Sequence, residues 1–377
     1  MSKELSNLPL GKLGIITSTG CEELTNKIDR YLVEWRQEES GEKCSFKIKT
    51  DCPRFATGEA KGLLVDSARG LDIYIVCDVL NHGVTYRMYG ETRHMSPDEH
   101  YQDLKRIIAA AGGKARRITV VMPMLYESRQ HKRNTRESLD CALALQELVS
   151  MGVENIITFD AHDPRVQNAI PLSGFENAQP YYQMIKALLR NVPDISVHKD
   201  SCMIVSPDEG GMARCLYYSS VLGLNIGMFY KRRDFSTIVD GRNPILEHAF
   251  LGDGVAGKDI IVVDDMISSG DSILDVSEQL KERGAKRIFV FSTYGLFVNG
   301  LELFDQANAK GLIDKVFTTN MIYRTPELKQ RTWYVEVDMS KYMALLINTL
   351  NYDQSISELL NPASKIRNVL QEYGRKR

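Results

Sequence analysis

IIVVDDMISSGDSILDV, residues 260–276, contains in order the features of a strand, a ligand loop and a helix start. An apolar, β-branched run at residues 260–263 ends in two adjacent carboxylates, Asp264 and Asp265, and a turn of small residues comes next. In open α/β sheets ligands bind at the carboxyl ends of the strands, which is where this order places the aspartates. The stretch therefore predicts a strand, a ligand-binding loop and then a helix.

The turn after the two aspartates has the composition of a phosphate site. Backbone N–H groups and hydroxyls at a helix N-terminus suit a phosphate monoester, and the turn offers Ser268, Ser269, Gly270 and Ser272. The carboxylates can accept hydrogen bonds from a vicinal diol, so diol and phosphate together describe a ribose 5-phosphate. The alternative is that the aspartates only end a strand and Ser272 only caps a helix, roles that both residue types often have.

Similar apolar runs recur along the chain, separated by turns and amphipathic helical patterns. Strands that alternate with helices in this way predict βαβ units. We expect two doubly wound, mainly parallel sheets of an α/β protein, with an N-terminal domain at 8–190, completed by 340–377, and a C-terminal domain at 191–339. The strand candidates are residues 14–17, 73–77, 118–122, 156–159, 203–206, 226–229, 260–263, 288–292 and 316–318.

Length and composition narrow the class of protein. The chain has 377 residues, more than the roughly 250–300 at which single cores stop growing, so two domains are expected. The formal net charge is −2, which predicts no recruitment of nucleic acid or membrane by a global field. Seven cysteines without a CxxC pair favour a reducing compartment. Without a signal-like or membrane-spanning apolar run, we expect a cytoplasmic protein.

The loop at 264–272 resembles the phosphoribosyl-binding loop of type I phosphoribosyltransferases and of ribose-phosphate diphosphokinases. The diphosphokinases usually carry a third aspartate and threonines within it; this chain has Ser268 at the aspartate position and Ser269 and Ser272 at the threonine positions. Asp271 stands where glycine is usual. The resemblance implies a phosphoribosyltransferase-like fold and assigns ribose 5-phosphate to the acidic pair and the small turn residues, namely Asp264, Asp265, Ser268, Ser269, Gly270 and Ser272.

A second segment, FATGE at residues 55–59, is similar to the FxxGE stretch of the diphosphokinases. In that family its aromatic and acidic residues contribute to the adenine pocket of a neighbouring subunit. The resemblance implies that Phe55, Thr57 and Glu59 bind ATP and that the chain forms a homo-oligomer, a dimer or hexamer. An aromatic face with acceptors suits a purine, although an isolated phenylalanine is more often a core residue.

A third segment, SRQHKRNTR at residues 128–136, resembles the ARQDRK loop that closes over ATP in the same family. Its four cationic side chains would neutralise a triphosphate through charge-assisted hydrogen bonds. The resemblance assigns Arg129, Gln130 and Lys132 to ATP. The departure is His131, which stands where aspartate is usual. Taken alone, the segment could also be a solvated basic loop.

Two further segments resemble the parts of the family that hold Mg-ATP. FDAHDP at residues 159–164 is similar to the DLHA motif, which implies an ATP contact and a Mg²⁺ environment for His162; Asp163 and Pro164 depart from that pattern. SPDEGG at residues 206–211 matches SPDxGG, which implies that Asp208 helps to hold Mg²⁺. The expected cofactor is therefore Mg²⁺, with His162 and Asp208 as its predicted protein ligands.

The segment FYKRR at residues 229–233 resembles the KxR segment that carries catalytic cations. The resemblance implies that Lys231, Arg233 and Arg129 stabilise charge while the ribose 1-hydroxyl attacks the β-phosphorus of ATP. Because phosphoryl-type transfer depends on positioning and electrostatics, no dedicated base is assigned. Two alternatives remain: a regulatory paralogue that binds nucleotide or sugar phosphate with little turnover, and a phosphoribosyltransferase. The latter would have no use for the basic ATP loop and the SPDEGG turn.

Overall fold

The computed structural model describes residues 8–41, 43–233 and 245–375. The chain divides into two compact units. The first is formed by residues up to Pro180, by Asn320–Tyr323 and by Asp338–Asn361. The second is formed by Tyr181–Thr319, by Arg324–Val337 and by the residues from Pro362 onward.

The first unit is built on a parallel sheet. Its strands are β1 (Lys12–Thr17), β2 (Lys47–Ile48), β3 (Thr50–Asp51), β4 (Leu63–Leu64), β5 (Leu71–Val76), β6 (Thr85–Met88), β7 (Glu91–His94), β8 (Arg117–Val121), β9 (Asn155–Phe159) and β10 (Gly174–Ala178). Six of them form one sheet in the order β10-β9-β8-β5-β1-β2, and each pairing is parallel. The other four form two small antiparallel hairpins, β3–β4 and β6–β7.

The second unit contains a seven-stranded sheet in the order β13-β12-β11-β14-β15-β16-β17. These strands are β11 (Cys202–Ser206), β12 (Asn225–Arg233), β13 (Ile245–Leu251), β14 (Asp259–Ile267), β15 (Arg287–Gly295), β16 (Lys315–Thr319) and β17 (Tyr334–Val337). Among these described strands only β13 runs antiparallel to its neighbour. Both sheets therefore confirm the predicted α/β class with two mainly parallel sheets.

Helices connect the strands in both units. They are α1 (Glu22–Ser40), α2 (Pro97–Ala111), α3 (Asp140–Ser150), α4 (Tyr181–Asn191), α5 (Met212–Leu222), α6 (Asp271–Glu282), α7 (Glu302–Ala309), α8 (Pro326–Lys329), α9 (Ser340–Asn351), α10 (Ser357–Leu360) and α11 (Ala363–Arg375). Each sheet has its own apolar core, and its central strands are almost continuously buried, as parallel strands covered on both faces are. Across the described ranges, no helix combines the length and hydropathy needed to span a bilayer.

The unit boundaries differ from the predicted domain boundaries for Asn320–Tyr323, which belongs to the first unit, and for two helices. Helix α4 belongs to the second unit, whereas the sequence predicts a first domain that extends to residue 190. Helix α11 also belongs to the second unit, whereas the sequence predicts that 340–377 completes the first. The reason is packing: α11 lies against α4 and α5, and the Tyr373 hydroxyl donates to the carbonyl oxygens of Pro193 and Ile195.

Candidate functional site

The strand order of the second unit reverses between β11 and β14, which are neighbours in the sheet. Ligands of open α/β sheets bind at such a reversal, outside the carboxyl ends of the strands. Asp208 follows β11, and Asp264 and Asp265 lie near the end of β14. The structure thus brings three of the predicted site residues to one crevice of the second sheet.

The two adjacent aspartates lie within β14, because the strand continues to Ile267, four residues beyond the predicted end. Its pairing with β15 continues with it, joining Asp264 to Ser292 and Ile267 to Gly295. Successive residues of a strand face opposite sides; Asp265 is buried while Asp264 is partly exposed. The Asp265 N–H donates to Oδ1 of Asp264 at 2.9 Å.

Burial raises the pKa of the Asp264 carboxyl well above its ordinary value, and the neighbouring charges of Asp265 and Asp208 add to the effect. Two close carboxylates in a poorly solvated place oppose each other's ionisation, which favours the protonated form of Asp264. A protonated carboxyl beside an ionised one offers both a donor and acceptors. That combination matches the two hydroxyls of a vicinal diol.

Arg214 is a site residue that the sequence reasoning missed. It lies in the first turn of α5, is 9% exposed, and places Nη2 3.6 Å from Oδ2 of Asp265. A buried charge needs a partner, and this guanidinium supplies one to the buried member of the acidic pair. Its signal in the sequence is a cation in a first helical turn, where the helix dipole disfavours positive charge.

The predicted phosphate loop forms a tight turn between β14 and α6. Gly270 is the N-cap residue of α6 and has φ +96°, and a Cβ there would lie 2.4 Å from the Phe304 ring, so the turn requires glycine. A glycine offers no side chain to the first-turn N–H groups of the helix, which remain suited to an anion. The Ser268 carbonyl oxygen accepts from the Val298 N–H at 3.0 Å, which fixes the start of the turn. The serines of the loop, Ser268 and Ser269 half-buried and Ser272 exposed, thus surround one helix start.

Asp208 lies in an equally tight turn. Its Oδ1 accepts from the Gly211 N–H at 3.2 Å, and its carbonyl oxygen accepts from the Ser206 hydroxyl at 2.6 Å. A Cβ on Gly211 would lie 2.7 Å from Ser206 Oγ and 3.3 Å from the Val263 carbonyl oxygen. Glycine is therefore needed for the close packing of the α5 start on the strand ends.

The residues present fit Mg²⁺ only as part of a complex with phosphate. Among the described residues, no three His, Cys, Asp or Glu side chains gather to hold a metal ion. Mg²⁺ is usually held by one or two carboxylates together with substrate phosphates and water. Asp208, half-buried, offers one carboxylate of that kind, and His162, the other predicted ligand, belongs to the first unit.

In the first unit, the basic loop at residues 128–136 and the segment with His162 come after neighbouring parallel strands, β8 and β9. The structure therefore brings these predicted ATP residues to the same edge of the sheet. Arg129 and Lys132 are exposed, as an anion-binding loop requires. Gln130 is half-buried, and its amide donates to the Ser138 carbonyl oxygen at 2.7 Å, so this side chain supports the loop itself.

The two residues that depart from the family pattern, His131 and Asp163, contact each other. His131 Nε2 lies 3.5 Å from Asp163 Oδ2, and the His131 ring meets His162 edge-on, with centroids 5.2 Å apart. Burial, and then the neighbouring His162, lower the pKa of His131. Hydrogen bonds from Arg165 lower the pKa of Asp163 to about 2. Neither the contact nor the arginine was anticipated from the sequence.

The FATGE loop lies between β3 and β4, on one of the small hairpins outside the six-stranded sheet. Phe55 is 57% exposed, so it is not a core residue. The Thr57 hydroxyl donates to Oε2 of Glu59 at 2.9 Å, and the Phe55 N–H donates to the Glu59 carbonyl oxygen at 2.7 Å. The three predicted residues therefore form one closed, solvent-facing loop.

The predicted catalytic cations Lys231 and Arg233 lie on β12, which pairs with β11. Strand β12 ends at Arg233. The side chains of both residues lie outside the part of the chain that the structure describes. Their catalytic role therefore stays a prediction.

Comparisons with known proteins give one consistent family. Residues 13–152 match the family model described as the N-terminal domain of ribose phosphate pyrophosphokinase, and residues 233–361 match the phosphoribosyl synthetase-associated domain. A ribose-phosphate pyrophosphokinase of Vibrio cholerae is 28% identical over 314 residues, 82% of this chain and 90% of that protein. One of Ureaplasma parvum is 32% identical over 216 residues, 56% of this chain and 61% of that protein.

The fold has a solved counterpart as well. The crystal structure of phosphoribosylpyrophosphate synthetase from Mycobacterium smegmatis superposes with a TM-score of 0.73 at 20% sequence identity, over 91% of this chain and 99% of that one. That likeness confirms the predicted two-domain, phosphoribosyltransferase-like fold. The two family matches, which together make up most of the sequence, show that the chain belongs to the ribose-phosphate pyrophosphokinase family of enzymes.

Proposed function

We propose that this chain is a ribose-phosphate diphosphokinase, which transfers the diphosphoryl group of Mg-ATP to the 1-hydroxyl of ribose 5-phosphate and releases AMP. The product is 5-phosphoribosyl 1-diphosphate, a precursor for nucleotide biosynthesis. The observation that carries the proposal is the order of groups at the end of β14. Two adjacent carboxyls come first, and the pKa of one of them, Asp264, is raised. A glycine turn follows and leads into a helix N-terminus that no described side chain caps.

In this proposal the second unit holds the sugar. Asp264 and Asp265 bind the diol, and Arg214 lies beside Asp265 as its cationic partner. The hydroxyls of Ser268, Ser269 and Ser272 and the first N–H groups of α6 bind the 5-phosphate. Fixing both ends of a small sugar orients its 1-hydroxyl, and orientation supplies much of the rate in such transfers.

The first unit holds the triphosphate in this proposal. The exposed Arg129 and Lys132 lower the electrostatic cost of bringing polyphosphate to the loop, and His162 lies at the next strand end. When bound, Mg²⁺ supplies charge neutralisation on the phosphate oxygens, with Asp208 as a carboxylate contact. Lys231 and Arg233 stabilise the charge that grows during transfer, which is the main form of catalysis for this chemistry.

The proposal extends to assembly and location. We place the exposed Phe55 loop in the adenine pocket of a neighbouring subunit, within a dimer or hexamer. An exposed aromatic at the tip of a small hairpin is well placed for that use. The seven cysteines are all free thiols, as is usual in a reducing compartment, and we propose the cytoplasm.

The experiment is an assay of purified protein with Mg-ATP and ribose 5-phosphate that measures AMP and phosphoribosyl diphosphate together. We expect both products in equal amounts. Asp264→Ala should lower the rate by about 100-fold or more, because it removes a group that orients the sugar. The exposed Asp271→Ala, in the same loop, is the matched control and should retain most of the activity.

Two other outcomes would reject the proposal in different ways. Binding of ATP and ribose 5-phosphate without AMP release would identify a regulatory paralogue. Formation of AMP that does not depend on ribose 5-phosphate would identify a different acceptor.

A further inference from the structure

In the basic loop at residues 128–136, His131 is partly buried although the neighbouring cationic side chains are exposed. Its side chain retains 11% exposure, whereas Arg129, Lys132 and Arg133 are exposed. The ring turns inward to within 3.5 Å of Asp163. An imidazole held in this way restricts the loop, together with the half-buried Gln130 beside it.

Asp163 is a fixed point for that contact. Its Oδ1 accepts from the Arg165 N–H at 2.9 Å and so caps a short 3-10 helix, Pro164–Ala169. The Arg165 guanidinium donates to both carboxylate oxygens. A side chain with this many hydrogen bonds keeps its rotamer, so it can hold the ring that meets it.

The same contact extends to His162. The rings of His131 and His162 meet edge-on, 5.2 Å apart and inclined at 61°. His131 therefore touches two residues of the segment after β9 and lies itself on the loop after β8. Because these strands are neighbours, the contact joins the two loops to which the proposed function assigns ATP.

We propose that His131 and Asp163 form a clasp that holds the basic loop beside His162 and so positions both loops on one Mg-ATP. His131 and Asp163 act here as positioning residues. The inference rests on the proposed function, since it assigns the clasp to the nucleotide site.

The sequence supplies an independent argument for treating these residues as a pair. The family pattern has aspartate at the position of His131 and alanine at that of Asp163, and both positions are changed in this chain. Aspartate at 131 opposite Asp163 would place two carboxylates close together, which is unfavourable. A carboxylate at 163 is therefore favourable opposite histidine and unfavourable opposite aspartate, which fits the observed contact.

The test is a reversion cycle measured by direct binding of Mg-ATP and, separately, of ribose 5-phosphate to the full chain. His131→Asp should weaken Mg-ATP binding at least about tenfold, equivalent to ~1.4 kcal/mol, and leave ribose 5-phosphate binding unchanged. Asp163→Ala should weaken it by a smaller factor. The double variant H131D/D163A should recover to within about threefold of the wild type, which is strong non-additivity for neighbouring residues.

Three further variants separate positioning from general stability. His131→Gln keeps an N–H group near the position of Nε2 and should retain most of the affinity, which His131→Ala should lose. Arg165→Ala removes hydrogen bonds that fix the Asp163 side chain but keeps its carboxylate, so it should weaken Mg-ATP binding by less than Asp163→Ala does. Melting temperatures identify any variant that is simply unfolded.

The outcomes distinguish the clasp from the proposed function. Additive effects in the reversion cycle, or equal loss of ATP and sugar-phosphate binding, would overturn the clasp alone. Tighter ATP binding by His131→Ala would also overturn it, because the contact would then oppose the bound state. A wild-type chain that binds no Mg-ATP would overturn both.

Discussion

The central strands of the two sheets carry the same Asp–Arg pair near their amino ends and different residues at their carboxyl ends. Asp72 is the second residue of β5 and pairs with Arg117 at the start of β8, while Asp259 is the first residue of β14 and pairs with Arg287 at the start of β15. Both arginines are bidentate, at 2.8 and 2.8 Å in the first unit and at 2.9 and 2.7 Å in the second. The two central strands are therefore built alike at their amino ends.

The carboxyl ends of these strands have diverged. Six residues after Asp72 the first unit has Asp78, and six residues after Asp259 the second unit has Asp265. The preceding residue is Cys77 in the first unit and Asp264 in the second. In the first unit the carboxylate accepts from the backbone N–H groups of Leu80 and Tyr323, so the chain itself occupies it. The second unit keeps two coupled carboxyls there. The carboxylate after β5 is thus used for hydrogen bonds within the fold, whereas the carboxyls at the end of β14 belong to the proposed ligand site.

The largest expected effect concerns the Asp–Arg pairs at the amino ends of β5 and β14. Arg117→Ala and Arg287→Ala should each lower the free energy of unfolding by about 3–5 kcal/mol, because each leaves a buried aspartate without its cation. Chemical denaturation measures this change. If the two pairs are equivalent, the two losses should agree to within about 1 kcal/mol.

The control replaces both members of one pair by apolar residues. Asp72→Leu combined with Arg117→Met should recover most of the stability, because the uncompensated charge is gone. A double variant as unstable as Arg117→Ala would show that the loss arises from the other contacts of that arginine, with Tyr74 and Leu350.

A smaller effect distinguishes the carboxyl ends. Because the folded-state pKa of Asp264 is raised, the folded chain binds a proton more tightly than the unfolded one, and stability falls as pH rises above the unfolded value near ~3.9. Asp264→Asn should remove this loss. The variant should therefore be more stable than the wild type by about 1–3 kcal/mol at neutral pH, the usual cost of an unsatisfied buried group.

The measurement is the melting temperature of the ligand-free protein at several pH values. The advantage of Asp264→Asn should grow from pH 4 upward, while the exposed Asp271→Asn should show no such trend. An advantage that is constant across the pH range would contradict the assignment, because it would arise from a source other than proton binding.

The smallest effect concerns the hairpin that the first unit places after β5. This hairpin, β6–β7, turns at Tyr89 and Gly90, both in the left-handed region at φ +48° and +83°. Asparagine accepts this backbone more readily than tyrosine, and Tyr89 is 78% exposed. Tyr89→Asn should stabilise the chain by up to about 1 kcal/mol, measured by denaturation, with Tyr89→Ala as a control that should not.

The sequence predicted the sheets well because buried parallel strands are continuous apolar runs, and all nine predicted runs are strands. Among the described strands of the two large sheets, it missed β2, β10, β13 and β17. The first, second and last of these are short or partly polar, and β13 is the antiparallel edge strand of its sheet. The hairpin β6–β7 is mostly polar: only Tyr86 and Met88 of β6 alternate with polar residues, and β7 is exposed throughout. Such segments become strands because neighbours pair with them, which local pattern does not show.

Only part of the site was predicted, because sequence patterns detect residues that are adjacent in the chain. Asp264, Asp265 and the serine turn are contiguous, so their order alone indicates a ligand loop. Arg214 and the His131–Asp163 contact join residues that are distant in sequence, and a single chain gives no distance between them. Their discovery required the fold.

The interleaving of the two units has a consequence for how the protein is made. The first unit contains Asp338–Asn361 as well as the residues up to Pro180, and α9 packs against α1. During synthesis, the ribosome therefore releases Tyr181–Thr319 and Arg324–Val337 of the second unit before Asp338–Asn361 of the first becomes available. Pairings over such sequence separations fold slowly, and partly built units expose apolar surface. We expect the nascent chain to depend on chaperones until its final residues leave the ribosome, and a fragment ending at residue 180 to aggregate.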